Sequence, residues 1–237
     1  MVHGPPMRRP ASPLLAVCGV CGGAGASTVS AAVARSAVEL GHVLLLDTGG
    51  LNAALCLRAG AETSHSVLDV AHVLERDVAL APSVWSARQI GRYELRVIAA
   101  RPSMDLDDGP LLDPVLAVLR GTLEQSLVVA DCGTLQRPAE LAVVRAASHV
   151  AWVMPDTGYG LARARQLHAL TASHVSGREL VLARRDVTAG AASLRALAAF
   201  ADVCRAPLVR LPAIPEGQPP ADAMEISLQA ILGVLRR

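Results

Sequence analysis

A glycine-rich segment near the start of the chain has the residue types and the spacing of a phosphate-binding loop. Glycines let a backbone turn tightly and bring its N–H groups close to phosphate oxygens, and a following Ser or Thr hydroxyl offers an oxygen ligand to Mg²⁺. The apolar run before the segment predicts a buried strand, and the alanine-rich run after it predicts a helix. The candidate binding residues are Gly22, Gly23, Ala24, Gly25, Ala26, Ser27 and Thr28.

The cation that such a loop normally carries is missing. The pattern places a lysine directly before the Ser or Thr, and that position is Ala26. All 22 Lys and Arg residues of the chain are arginines, so neither another segment nor an identical subunit can provide a lysine. An arginine such as Arg101 or Arg184 could instead supply positive charge beside the loop. The sequence does not show where either side chain lies relative to the loop.

Two acids, Asp47 and Asp131, each end an apolar run that predicts a buried strand. Ligands of open α/β sheets lie outside the carboxyl ends of the strands, which is also where the glycine-rich loop must lie. We therefore predict that Asp47 and Asp131 join Ser27 in an Mg²⁺ site. The alternative is that each carboxylate only caps the loop that follows its strand.

Apolar runs alternate with helical stretches along the chain, which is typical of a parallel sheet. The pattern predicts an α/β fold, a doubly wound, mostly parallel seven-stranded sheet with helices on both faces. The predicted strands are 14–20, 43–47, 94–100, 126–131, 149–154, 179–183 and 207–211. The predicted helices are 27–40, 67–76, 111–119, 139–147, 161–171, 194–204 and 221–235.

Length and composition favour one domain. The 237 residues have no convincing internal linker, so 14–237 is predicted to be a single domain and the proline-rich 1–13 a disordered leader. The net charge of +1 argues against broad attraction to nucleic acid. The pairs Arg184-Arg185 and Arg163 and Arg165 offer a local basic patch, but such faces are usually only solvated, so DNA binding is not favoured.

The five cysteines and seven histidines show no complete metal-ligand spacing. Cys18 and Cys21 have CxxC spacing without a second pair, and we expect Cys18 in a buried strand and Cys21 at the loop entrance. His168 and His174 are predicted to be surface helix residues rather than ligands. The odd cysteine count and the lack of an export signal favour a reducing cytoplasm.

The segments GGAGASTVSAAVA, VLLLDTGGLNAAL and LVVADCG resemble motifs of the ParA/MinD superfamily of deviant-Walker ATPases, which have a P-loop NTPase-like fold. Within that superfamily the GAST variant looks most like the CpaE/TadZ branch and the actinobacterial septum-site-determining-like proteins. The motif resemblance covers 14–58, and the order of predicted elements extends it to nearly the whole chain. The resemblance implies binding of ATP or ADP with Mg²⁺.

Several functional positions of the superfamily are altered in this sequence. The resemblance places its dimer-spanning signature lysine on Cys21, its loop lysine on Ala26 and its water-orienting acid on Gly49. An adenine-contacting Asn falls on Ala183. Because loss of one charge-stabilising group costs about 3 kcal/mol or more in the barrier to phosphoryl transfer, we expect negligible hydrolysis and weak or no nucleotide binding.

The ligands of Mg²⁺ survive the same comparison. The resemblance places the metal-binding hydroxyl on Ser27, and the strand-end acids on Asp47 and Asp131. It implies a homodimeric, cytoplasmic localisation or assembly factor, with protein partners in a pilus or secretion apparatus or in septum placement. Recruitment to the pole, the septum or the inner face of the membrane belongs to the same expectation.

Two other functions stay open at this point. One is a slow but active ATPase of the same kind, using arginine or a residue of a partner. The other is an NAD-dependent enzyme on a Rossmann-like fold, since Asp47 lies about 20 residues beyond the glycines, although Thr28 breaks the glycine pattern. The last helix, with Met224, Leu228 and Ile231 at helical spacing, is expected to pack on the core rather than to bind a membrane.

Overall fold

One sheet of eight strands organises the part of the chain that the structure describes. The computed structural model describes residues 11–48, 54–60, 66–75, 85–98, 115–117, 119–120, 125–175, 177–186, 190–214 and 220–236. The strands are β1 Leu14–Gly19, β2 Val43–Asp47, β3 Ser86–Ile90, β4 Tyr93–Ile98, β5 Leu127–Asp131, β6 His149–Pro155, β7 Arg178–Arg184 and β8 Leu208–Leu211. Their order across the sheet is β3-β4-β2-β5-β1-β6-β7-β8.

Every neighbouring pair of strands is parallel except β3 and β4, which form an antiparallel hairpin at one edge. The predicted number of seven strands was one too few, because the edge strand β3 was not predicted. The sequence of β3, SARQI, has no apolar run, and its three central residues are exposed. An edge strand that buries little has no hydrophobic pattern to mark it.

The helices cover both faces of the sheet, as predicted. They are α1 Ala26–Ala37, α2 Ala54–Ala59, α3 Val67–Glu75, α4 Pro138–Ala146, α5 Gly158–Thr171, α6 Leu194–Val203, α7 Pro220–Ala223 and α8 Glu225–Leu235. Residues 115–117 and 119–120 are helical too, and short 3-10 turns follow α1 and α5.

Alternation along the strands divides the core between the two faces. Leu15 and Val17 of β1 point to the face covered by α1, α2 and α8. Leu14, Ala16 and Cys18 point to the other face. There α3, the helical residues 115–117 and 119–120, and α4 pack, followed by α5 and α6 beyond β6. Cys18 is fully buried, as predicted.

The C-terminal helix packs on the core, as expected. Met224, Leu228, Ile231 and Leu232 are at most 3% exposed and belong to the cluster around α1. In the part of the chain that the structure describes, no helix has the length and apolar character that a membrane span requires.

Residues 1–10 of the predicted leader lie outside the described residues. Of its last three residues, Ser12 is buried, and its hydroxyl donates to the carbonyl of Gln125 at 2.8 Å. The carbonyl of Pro13 accepts from the amide of Val128. Among the described residues, Ser12 and Pro13 of the predicted leader are therefore hydrogen-bonded to the body of the fold.

The connection after β1 lies where the strand order reverses. From β1 the chain passes over β5 to β2, continues outward to that edge, returns to β5, and then continues through β6 to the other edge. Such a switch point opens a crevice at the carboxyl ends of the central strands, where ligands of open α/β sheets bind. The glycine-rich loop and both predicted acids lie at this crevice.

Candidate functional site

The glycine-rich loop joins β1 to α1, and the start of the loop is held by β6 on one side and by the residues after β5 on the other. The amide of Gly19 donates to the carbonyl of Gly133 at 2.7 Å, and the amide of Val20 donates to the carbonyl of Val153 at 3.0 Å. A further bond from Ala24 to the carbonyl of Cys21 closes a turn within the loop. The loop is thus fixed in place before any ligand arrives.

Two glycines of the loop adopt backbone conformations that other residues rarely do. Gly23 has φ of 74°, and Gly25, the residue before α1, has φ of 101° and ψ of 16°. Among the described residues no side chain caps the first turn of α1. The first amides of the helix therefore face the cleft, and their partial positive charge suits an anion.

The two predicted acids lie side by side beneath the loop. Asp47 and Asp131 are in register at the ends of the paired strands β2 and β5, and each is 3% exposed. Thr48 fastens the strand ends together, because both its amide and its hydroxyl donate to the carbonyl of Asp131, at 3.0 Å and 2.7 Å.

Ser27 is hydrogen-bonded to the side chain of Asp131, which also accepts from the amide of Gly133. Burial raises the pKa of Asp131, and the bonds from Ser27 and Gly133 and the charge of Arg58 act in the opposite direction. The structure thus brings together all three predicted Mg²⁺ ligands at one end of the sheet. A hydroxyl and two carboxylates are the hard oxygen donors that Mg²⁺ takes, so these residues fit the ion.

Arg184, the last residue of β7, reaches across to the glycine-rich loop. Its Nη2 donates to the carbonyl of Gly23 at 2.9 Å, and its Cδ lies 3.3 Å from the position that a Cβ on Gly25 would occupy. Its buried Nε has no hydrogen-bond partner among the described residues. The lysine-free loop therefore has a guanidinium directly against it, with donor capacity to spare.

Two further arginines line the cleft. Arg58 of α2 donates from Nη1 to the hydroxyl of Thr28 at 2.5 Å. Arg137 precedes α4, and its buried Nη1 has no partner within the described part of the chain. Unpaired guanidinium donors are the groups that bind phosphate most readily. The charge of the cleft is therefore supplied from three separate elements.

Glu140 of α4 is the acid that faces these arginines. It is 3% exposed, and its Oε2 accepts from the amides of Gln136 at 2.5 Å and Arg137 at 3.2 Å. Burial raises the pKa of Glu140 to about 7, with Asp131 adding to the rise and the two amides and the Arg137 charge opposing it. Its charge consequently changes near neutral pH.

We predict a pH-dependent contribution of Glu140 to stability. Its pKa rises from 4.5 in the unfolded chain to about 7 in the folded protein, so between these values the folded state binds more protons. Stability must then fall as pH rises through this window and level off above it. The contribution is obtained as the difference in unfolding free energy between the native chain and Glu140→Gln in urea titrations from pH 5 to 8.

In Glu140→Gln this pH dependence of the unfolding free energy should be absent. The native chain should therefore lose stability relative to the variant as pH rises from 5 to 8. Glu39→Gln serves as the control, because Glu39 lies in the exposed turn after α1. A gap between native protein and Glu140→Gln that stays constant from pH 5 to 8 would contradict the raised pKa.

The loop, the arginines and Glu140 enclose a cleft of about 610 Å³. This volume is in the range of small-molecule sites, about 300–1,000 Å³. Its walls include 21–28 of the loop and first turn of α1, and also Arg58, Arg137, Glu140 and Arg184. With three guanidinium groups and one carboxyl, the cleft is suited to an anionic ligand such as a polyphosphate.

The predicted loop residues line the cleft, whereas two other residues singled out in the sequence lie outside the described part of the chain. Gly22 to Thr28 all line the cleft, and Cys21 lies half-buried at its entrance. Gly49 and Arg101 lie outside the described residues. Ala183 is completely buried in β7. Because Arg184 is directed at the loop, it does not form an outward basic patch with the exposed Arg185.

The prediction that His168 lies at the surface was wrong. His168 was predicted to be a surface helix residue, but its side chain is only 12% exposed, and its Nε2 lies 3.1 Å from Oε2 of Glu179. Sequence reasoning missed it because the partners are far apart in the chain and no spacing links them. Sequence reasoning also missed Arg58, Arg137 and Glu140, which have no motif of their own.

The strand order speaks against the dinucleotide-binding alternative. In that fold the strand before the glycine-rich turn is the neighbour of the strand that carries the ribose-binding acid. Here β5 lies between β1 and β2, so Asp47 is one strand further away. The NAD-dependent reading therefore lacks the arrangement on which it depends.

No protein-family model matches the sequence, and no curated protein matches it either. Solved structures do match it across almost the whole chain. A chain of the MinC:MinD cell division protein complex of Aquifex aeolicus has a TM-score of 0.73 at 17% identity, covering 94% of this chain and 96% of that one.

Two further matches agree. A ParA family ATPase from Chlorobium tepidum TLS has a TM-score of 0.69 at 20% identity, with 95% and 91% of the two chains covered. The septum site-determining protein MinD of Pyrococcus horikoshii OT3, complexed with Mg-ADP, has a TM-score of 0.70 at 17% identity, with 94% and 98% covered. The fold is thus the P-loop NTPase-like α/β fold of these proteins, and at such identities the likeness establishes the fold alone.

Proposed function

We propose that this protein is a nucleotide-binding localisation or assembly factor of the ParA/MinD kind, in which arginines take over part of the role of the missing lysines. The observation that carries the proposal is Arg184 against the carbonyl of Gly23, beside an uncapped helix start. A guanidinium, free backbone amides and a helix dipole are three independent sources of attraction for a phosphate chain.

Mg²⁺ has a matching place in the proposed site. Ser27 and Asp131, already joined by a hydrogen bond, and Asp47 on the neighbouring strand would hold the ion. When bound, it would neutralise phosphate charge and fix the orientation of the polyphosphate. The ADP-bound MinD structure with the same fold is consistent with ADP or ATP as the ligand.

Slow or absent hydrolysis is part of the proposal. Ala26 stands at the loop lysine position, and Cys21, at the signature position, lies at the cleft entrance without a charge of its own. Since each lost charge-stabilising group raises the barrier by about 3 kcal/mol, the arginines would have to occupy the same places to restore turnover. Arg184 instead comes from the side, from the end of β7.

The cellular role that we propose rests on the resemblance of the sequence motifs to the ParA/MinD superfamily. We propose a CpaE/TadZ-like or septum-site-determining-like function, in which a homodimer recruits proteins of a pilus, secretion or division apparatus. Recruitment to the pole, the septum or the membrane face would then come from those partners. The match to a MinC:MinD complex fits a fold that is used for protein assembly.

The direct test is calorimetric titration with ATP and with ADP, in Mg²⁺ and in a chelator, comparing the native chain with Ser27→Ala. We expect weak binding that strengthens with Mg²⁺, and a loss of about tenfold or more in Ser27→Ala, because this variant lacks one of the three side chains that would hold the ion. Ser36→Ala, on the same helix but remote from the cleft, is the matched control.

Two results would count against the proposed site. If Ser27→Ala bound Mg-nucleotide as tightly as Ser36→Ala, the ion would not lie at Ser27. If the native chain bound no nucleotide at millimolar concentration, the cleft would not be a nucleotide site, and the fold would act as a protein-interaction scaffold only.

A slow ATPase remains the second candidate, because one observation favours it. Arg137, with its unpaired Nη1, and Glu140, with a pKa of about 7, face the same cleft. A carboxyl that titrates near neutral pH is well matched to act as a general base. Phosphate release measured over hours with Glu140→Gln as control separates the two candidates, since turnover that disappears in this variant would favour the enzyme.

A further inference from the structure

A cluster of three potential metal ligands lies near the amino-terminal end of β7, whereas the phosphate cleft lies at the carboxyl ends of the strands. His168 is near the end of α5, Glu179 is the second residue of β7, and Cys204 follows α6. One donor atom from each side chain lies within 4.8 Å of the other two. Glu179 is five residues before Arg184, or roughly 17 Å along the strand, so the cluster has no part in nucleotide binding.

The cluster is buried beneath α5 and α6. The side chains of His168 and Glu179 are 12% and 14% exposed, and Cys204 is 5% exposed. Three separate elements have to meet to form it, and each contributes a different donor: an imidazole nitrogen, a carboxylate oxygen and a sulfur. Burial of the imidazole and the carboxylate lowers stability unless partners compensate.

Neighbouring groups hold the imidazole and the carboxylate in fixed orientations. Nε1 of the fully buried Trp152 donates to Oε2 of Glu179 at 2.5 Å. The ring of His168 meets the rings of Trp152 and Phe200 edge-on, with both centroid distances at 5.9 Å. Supporting contacts of this type orient the ligands of metal sites and tune their affinity.

From this geometry we infer that His168, Glu179 and Cys204 bind a thiophilic divalent cation, with zinc as the best match. Imidazole, carboxylate and thiolate are zinc ligands, and three protein ligands leave a fourth position open. The hard ions Mg²⁺ and Ca²⁺ are disfavoured by the sulfur. A neutral imidazole with one carboxylate and one thiolate also balances a double positive charge.

The distances permit such an ion after a small adjustment. Tetrahedral bonds of about 2.0–2.3 Å place ligand atoms roughly 3.4–3.7 Å apart. Nε2 of His168 and Oε2 of Glu179 are already 3.1 Å apart. The widest edge, at no more than 4.8 Å, would have to close by about 1 Å. Side-chain rotation of Cys204, which lies just beyond the end of α6, can supply this movement.

Titration of the chelator-treated protein with Co²⁺, followed by competition with Zn²⁺, tests the inference. We expect one Co²⁺ per chain that gives a thiolate-to-cobalt charge-transfer band, and loss of this band when Zn²⁺ displaces the Co²⁺. Cys204→Ser should abolish the band and weaken binding at least tenfold, as should His168→Gln. Cys21→Ser is the matched control, because Cys21 lies at the phosphate cleft, and its band should be unchanged.

Trp152→Phe supplies a readout for the supporting contact and should lower Co²⁺ affinity about ten- to a hundredfold. Circular dichroism and thermal unfolding without metal show which variants remain folded, and His168→Gln and Cys204→Ser check each other. No charge-transfer band in the native chain would mean that His168 and Glu179 form only an ion pair, which overturns the inference. A band that survives in Cys204→Ser but is lost in Cys21→Ser overturns it too.

Discussion

Replacing Arg184 by methionine is expected to weaken nucleotide binding by about ten- to a hundredfold. The apolar stem against Gly25 would be kept, while the guanidinium that donates to Gly23 and offers a spare Nε would be lost. A charge-assisted hydrogen bond contributes about 1.5–3 kcal/mol, which is this range in affinity. Calorimetric titration with Mg-ADP measures the change.

Arg185→Met is the control for this experiment. Arg185 is the next residue, has the same charge and is exposed, so its loss alters the net charge without touching the loop. Arg184→Lys should fall between the native chain and Arg184→Met, because lysine restores a point charge but not the planar fork. Tighter binding by Arg184→Met than by the native chain would show the opposite role, an arginine that blocks the loop.

Replacing Gly160 by alanine is expected to destabilise the fold by about 3 kcal/mol. Gly160 is in the first turn of α5, and a Cβ there would collide with the carbonyl oxygen of Pro155 and approach its Cγ to 2.8 Å. The helix cannot simply shift away, since the amide of Gly160 is bonded to the hydroxyl of Thr157, which caps the helix.

Gly158→Ala, two residues earlier in the same turn, is the matched control. A Cβ there would meet no atom within 4 Å, and alanine lowers the entropy of the unfolded chain, so a gain of about 0.5 kcal/mol is expected. The loss expected in Gly160→Ala should by itself lower the midpoint of thermal unfolding by about 6–12 °C. The midpoint of Gly158→Ala should therefore lie at least that far above the midpoint of Gly160→Ala. Similar midpoints for the two variants would mean that the contact with Pro155 is readily relieved.

The central part of the fold could be predicted because burial on both faces leaves a clear pattern. Strands such as VLLLD in β2 and LVVAD in β5 are apolar throughout and end in an acid, so their type and place were evident. The edge strand β3 and the six-residue α2 were missed, because SARQI is polar and α2 is too short to show a helical period.

The grouping of the glycine-rich loop with Ser27, Asp47 and Asp131 could be predicted, because these residues follow strands whose carboxyl ends meet at the same end of the sheet. The arginines could not be placed in the same way. Arg184 lies 161 residues after Gly23, and nothing in its neighbourhood distinguishes it from Arg185. Likewise, His168 and Cys204 are brought together by the packing of α5 and α6 on β7, which no local spacing encodes.

The anchoring of the glycine-rich loop has a consequence for the newly made chain. Gly19 and Val20 bond to Gly133 and Val153, which are synthesised well over a hundred residues later. At about 5–20 residues per second, β1 must wait roughly 5 to 25 s for the strands that flank it. During that interval the apolar strand LLAVCG has both edges open, so we expect the N-terminal end of the nascent chain to be prone to aggregation until β6 emerges.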